Sequence, residues 1–147
     1  MNTTLQQGRT TRNRTIYITN YDMDRLRDLL EQAKDENPLR TDLKDLQAEL
    51  DRARLVKPRA VPGDVITMNS TVCLVDQDTA EESIYTLVFP EEANIGQGKI
   101  SIFAPIGTAM LGHRVGDTFD WQVPDGVVSL EVKEILYQPE AAGDYHL

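Results

Sequence analysis

Two hydrophobic rhythms divide the chain. Between Met23 and Ala53, apolar residues recur every three or four positions; beyond Asp64 they recur every second position. In "NYDMDRLRDLLEQAK", Met23, Leu26, Leu29, Leu30 and Ala33 share one face at helical spacing. Asn20 is the expected N-cap, with Asp22 and Asp24 favourable in the first turn. Asn37-Pro38 ends the pattern. Thr41 is placed to cap a second helix, in which Leu43, Leu46, Leu50 and Ala53 follow at spacings of three, four and three, the rhythm of a helical seam. The short break predicts an antiparallel hairpin of coiled-coil type. Each helix is expected to run about 14 residues, or ~20 Å. The stripes are narrow and the other faces charged, so the hairpin is expected to project. "TIYIT", residues 15–19, reads as a short strand ahead of it.

"KPRAVPG", residues 57–63, marks a boundary. Beyond it "DVITMNSTVCLVD", "ESIYTLVF", "GKISIF", "DTFDWQV" and "VVSLEVKEIL" read as strands, rich in Val, Ile and Thr. "DQDTAEE", "PEEANIGQG" and "PDG" are the turns between them. One short helix fits from about Pro105 to Leu111, with Pro105 in its first turn and Gly112 past its end. The expected fold class is α+β: a flexible polar tail at 1–14, a helical hairpin at 15–57, and a mainly antiparallel sheet with one helix at 58–147.

Charge sharpens this division. Residues 1–57 carry 11 Lys and Arg against 10 Asp and Glu, whereas residues 58–147 carry 4 against 14. So acidic a second part is a poor partner for duplex nucleic acid, whose phosphates need Lys and Arg; it suits a basic protein surface or simple solubility. With one cysteine, Cys73, no internal disulfide can form. Cys73 lies in an apolar run and is expected in the core, which fits a reducing cytoplasm. No apolar run approaches the ~18 residues of a membrane span. "MNTTLQQGRTTRNR" lacks the apolar centre of a signal peptide.

Catalytic chemistry is sparse. No phosphate-binding G-x-x-x-x-G-K-S/T or G-x-G-x-x-G motif occurs, so neither a nucleotide nor another cofactor is expected. His113 and His146 are isolated, lack ligand spacing and are expected at the surface; Trp121 is expected in the core.

"GKIS" at Gly98–Ser101, then Pro105 and Gly107, "LG" at Leu111-Gly112 and "VGD" at Val115–Asp117 form an ordered series. With "STVCLVDQDTAEESIYTLVFPEEAN" before it, this series resembles the C-terminal domain of the Gre-type bacterial transcription elongation factors. "VITMNS", "API", "LGHRVGD" and "YQPEAAGDY" are similar to the Rnk branch of these proteins, the regulators of nucleoside diphosphate kinase, and the likeness covers residues 15–147. The resemblance implies an FKBP-like sheet domain behind a shortened hairpin. It also implies that Phe103, Ala104 and Pro105, with Ile106 beside them, meet the rim of the RNA polymerase secondary channel. Phe-Ala stands where Gre factors have polar residues, so the contact would be more apolar; the alternative for Phe103 is the core.

In Gre factors, acidic residues at the hairpin tip hold a catalytic metal that stimulates transcript cleavage. Here the tip region offers Asp35, Glu36, and Asp42 and Asp45 of "DLKD". Carboxylates suit a hard cation, but they are equally at home in a helix's first turn. The hairpin is short, and the residues after "DLKD" are one position out of phase with the family. The expectation is therefore a non-enzymatic regulator that binds RNA polymerase and competes with Gre factors, using Asp42 and Asp45 as partner contacts and no metal. Neither specific DNA nor a membrane is expected as a partner. The alternatives are a cleavage-stimulating factor and an FKBP-like prolyl isomerase. The latter needs an aromatic-lined pocket, and the chain has only five Tyr, three Phe and one Trp.

Overall fold

The structure is a computed structural model that describes residues 16–37 and 43–144. Strand β1 (Tyr17–Thr19) runs straight into helix α1 (Asn20–Glu36). Thr19, not Asn20, is the cap. The extended backbone of Thr19 turns its hydroxyl back over the first turn, where Oγ1 accepts the Asp22 N–H at 3.2 Å. Helix α1 has 17 residues and helix α2 (Lys44–Arg52) has 9, in place of two equal helices. They measure about 26 and about 14 Å along their axes. Leu43 precedes α2 without a side-chain cap, and the expected cap Thr41 lies outside the described residues.

The apolar stripe of each helix is buried. Leu26 and Leu30 are buried on α1, as are Leu46 and Leu50 on α2, with Leu43 beside them and Leu29 packed at the margin. Polar side chains lace the two helices in opposite order along their lengths. Arg27 Nη1 lies 3.1 Å from Asp51 Oδ1, and Lys34 Nζ donates to Gln47 Oε1 at 3.2 Å. These exposed pairs each contribute at most about 1 kcal/mol, so leucine burial holds the helices together. Strand β2 (Arg54–Val56) then pairs in parallel with β1, and Arg54 N–H donates to Ile16 C=O at 2.7 Å.

Five further strands form the sheet: β3 (Thr71–Asp76), β4 (Glu82–Val88), β5 (Lys99–Ser101), β6 (Thr118–Val123) and β7 (Gly126–Tyr137). Their order is β5-β4-β3-β7-β6, antiparallel except between β4 and β5. Alternation puts Val72, Leu74, Leu87, Phe119, Leu130 and Val132 into the core, which is continuous with the leucines of the helices. Two expectations need correction. Residues 64–70 do not extend β3: Asn69 takes a positive φ of 66°, and Ser70 Oγ accepts the Thr67 N–H at 3.0 Å, which bends the chain. The sheet also carries two short helices rather than one, α3 (Pro105–Met110) and α4 (Pro139–Ala142). Buried Gln138 makes α4 possible. Its Oε1 caps Ala141 N–H, while Nε2 donates to the carbonyls of Pro62 and Val65 at 2.8 and 2.7 Å. No helix among the described residues is long and apolar enough to cross a membrane.

Candidate functional site

The loop between β5 and α3 is held by its own short-range hydrogen bonds. Ser101 organises it: Oγ accepts the Phe103 N–H at 2.9 Å and its carbonyl accepts the Ala104 N–H at 3.0 Å. Pro105 opens α3, where its missing N–H costs nothing. Thr108 fastens the helix back onto the loop, its Oγ1 donating to Ile102 C=O at 2.7 Å. Gly107 lets α3 lie against the end of β5. A Cβ there would stand 2.1 Å from the Ser101 carbonyl oxygen. In the sequence Gly107 is one member of the ordered series; its role in the fold is this close approach. Gly112, with φ +88°, then turns the chain away from α3, and its N–H donates to Ile66 C=O at 3.0 Å.

The loop thus presents a fixed apolar edge. Pro105 is exposed, Phe103 and Ala104 are half-buried, and Ile106 is buried in the core. Of the four residues singled out in the sequence, three keep accessible surface and the fourth is buried beneath them. Phe103 also packs against the core. The "VGD" turn that follows is closed by Asp117, whose Oδ2 accepts the Arg114 N–H at 2.8 Å.

Asp35, Glu36 and Asp45 are exposed; Asp42 lies outside the described residues. Among the described residues, no group of three or more His, Cys, Asp or Glu is placed to hold a metal ion. His113 is not at the surface but 1% exposed, stacked on Phe119 with ring centroids 4.7 Å apart. Its backbone bonds to Met110 and Ile66 tie it into the core beneath α3, which a lone sequence position does not announce. His146 lies outside the described residues. Cys73 is buried, as expected, and its thiol donates to Glu82 Oε1 at 3.6 Å. Burial, followed by the charge of Glu82, pushes that thiol's pKa up. Trp121 packs at the margin of the core.

The base of α1 escaped the sequence reading. The Arg25 guanidinium pairs with Glu91 and lies 3.8 Å from the centroid of the Phe89 ring, tying the helix to the sheet. Glu91 is 66 positions away, so no local pattern connects them.

Known proteins resemble this chain over nearly its whole length. The family described as "Transcription elongation factor, GreA/GreB, C-term" matches residues 61–137, and the family described as "Rnk N-terminus" matches residues 14–56. The "Regulator of nucleoside diphosphate kinase" of Escherichia coli (strain K12) is 45% identical over 134 residues, 90% of this chain and 97% of that protein. The "Transcription elongation factor GreA" of Syntrophotalea carbinolica is 39% identical over 95 residues, 65% of this chain and 60% of the relative. Among solved structures, a "Prokaryotic transcription elongation factor GreA/GreB from Nitrosomonas europaea" matches with a TM-score of 0.72 and 41% identity, covering 84% of this chain and all of that one.

Proposed function

Since the chain belongs to the GreA/GreB family of transcription elongation factors, within its Rnk branch, we propose that it is a non-enzymatic regulator that docks on RNA polymerase at the rim of the secondary channel and competes there with Gre factors. Through that competition it influences nucleoside diphosphate kinase levels. In this reading residues 58–147 are an FKBP-like docking unit and residues 15–57 a short antiparallel coiled coil.

The observation that carries the reading is the pinned loop at Phe103, Ala104 and Pro105. Its backbone is fixed by Ser101 and Thr108 before any partner arrives. A partner therefore pays little ordering entropy, and apolar burial at ~25 cal/mol per Å² translates into affinity. The acidic charge of residues 58–147 sets encounter rate and orientation, an effect that weakens with salt. Helices of about 26 and about 14 Å make a short rod, which occupies the channel entrance without delivering a metal to the active centre.

The test is Gre-stimulated transcript cleavage measured while this protein is titrated in. Cleavage is expected to fall. Phe103→Ala is expected to weaken the competition about tenfold, as truncating an aromatic anchor does. Asp42→Ala combined with Asp45→Ala is expected to weaken it less. Cleavage that holds constant at large excess overturns the competitor reading. Transcripts shortened by this protein alone, and lost in Asp42→Ala, would make it a cleavage factor instead.

A further inference from the structure

An open sheet has two edges, and this one closes only the edge at β5. There Lys99 exchanges both backbone hydrogen bonds with Asn94, at 2.9 Å each, and the Ser101 carbonyl accepts the Ala104 N–H at 3.0 Å. At the far edge β6 pairs with β7 alone. Among the described residues, no backbone group of Thr118–Val123 has a hydrogen bond beyond that pairing. In an antiparallel pair every second residue turns its N–H and C=O away from its partner, so β6 offers a row of open donors and acceptors. Edges are ordinarily blunted by proline, lysine or a bulge. Strand β6 has none of these, and its register with β7 is unbroken from Thr118 to Val123. Its one acidic residue is Asp120, whose Oδ1 accepts from Ser129 Oγ at 2.7 Å; this draws the carboxylate toward β7 and off the open edge.

The side chains along the edge define what fits it. Buried Phe119 and half-buried Trp121 and Val123 alternate with exposed Thr118 and Asp120. One face of an added strand would extend the margin of the core at Trp121, where apolar side chains bury area. The other face would run beside Asp120. Between Arg114 and Lys133 the chain carries Asp117, Asp120, Asp125 and Glu131 and no basic residue. A second copy would set this acidic strand against itself, and like charges opposite one another are destabilising. A basic strand gains from the same charges.

We propose that β6 accepts an added strand from a partner protein: an extended segment in which basic residues alternate with apolar ones. Backbone hydrogen bonds supply the affinity, and the alternation supplies the choice of partner. The inference uses none of the Phe103–Pro105 loop and stands apart from the polymerase reading.

The probe is a capped peptide alternating lysine and valine, matched to β6 in length, added to the full chain while amide hydrogen exchange is followed by NMR. Alternate amides of β6 are expected to slow by at least about tenfold at saturating peptide. A peptide alternating glutamate and valine is expected to leave them unchanged, and Asp120→Lys to narrow the preference between the two. A lysine–valine peptide N-methylated along its pairing edge keeps its charge and its apolar face but cannot donate, and is expected to lose the protection. Unchanged β6 exchange at millimolar peptide overturns the proposal. So does equal protection by the N-methylated peptide, which would mean charge attraction without strand pairing. Protection that appears without peptide and rises with protein concentration would assign the edge to a second copy, and overturns it as well.

Discussion

Gly107→Ala is expected to destabilise the protein by about 3 kcal/mol, at the upper end for overpacked sites. Helix propensity alone argues the other way, since alanine is better than glycine by about 1 kcal/mol in a helix interior. Geometry decides between them. The new Cβ would meet backbone, with the Ser101 oxygen at 2.1 Å, the Ser101 carbon at 2.9 Å and the Ile102 Cα at 3.2 Å. None of these can rotate aside as a side chain would. Helix α3 must therefore back away from β5, drawing Ile106 and Met110 out of the core and shifting Phe103–Pro105 with them. Urea unfolding measures the loss. Gly63→Ala is the control, because nothing lies within 4 Å of a Cβ there, and its effect should stay within about 0.5 kcal/mol. A Gly107→Ala protein as stable as the parent would mean that α3 is free to float on the sheet.

For Leu46→Asp a loss of about 3–5 kcal/mol is expected, combining the truncation of a fully buried leucine with an unpaired charge. Leu46 is 1% exposed, in the seam with Leu26, Leu30 and Leu50. The rim pairs Arg27–Asp51 and Lys34–Gln47 are too weak to hold the helices without it. The damage should be uneven. Helical circular dichroism is expected to fall, while the amides of β3 and β7 keep their protection from hydrogen exchange. Unchanged helicity and melting would show that Leu46 does not hold the seam.

How much was legible follows from what each signal depends on. Leu26, Leu30, Leu46 and Leu50 announce their helices because side-chain periodicity is a local property and burial obeys it. Pro105 marks the start of α3 for the same reason: a ring that fixes φ acts on its own residue. What stayed hidden depends on distant partners. Helix α4 forms because Gln138 reaches the carbonyls of Pro62 and Val65, more than 70 positions earlier. Asn69 bends residues that alternate like a strand. Asp22 shows the limit most clearly. A first-turn aspartate is so ordinary that nothing in its neighbours hints that the fold buries it to 3% exposure. In the site the sequence found the loop, but not that Ile106 anchors it and that Ser101 and Thr108 pin it.

The parallel pairing of β1 with β2 places the entrance and exit of the helix pair side by side, with Ile16 bonded to Arg54. Everything between those two strands is an excursion that leaves and returns at one doorway. Matched additions or deletions at the far end of the excursion, a whole number of turns on each helix, would leave the doorway unmoved and the sheet unaware of them. Helix length and sheet can therefore evolve on separate schedules, with one scaffold carrying helix pairs of many lengths.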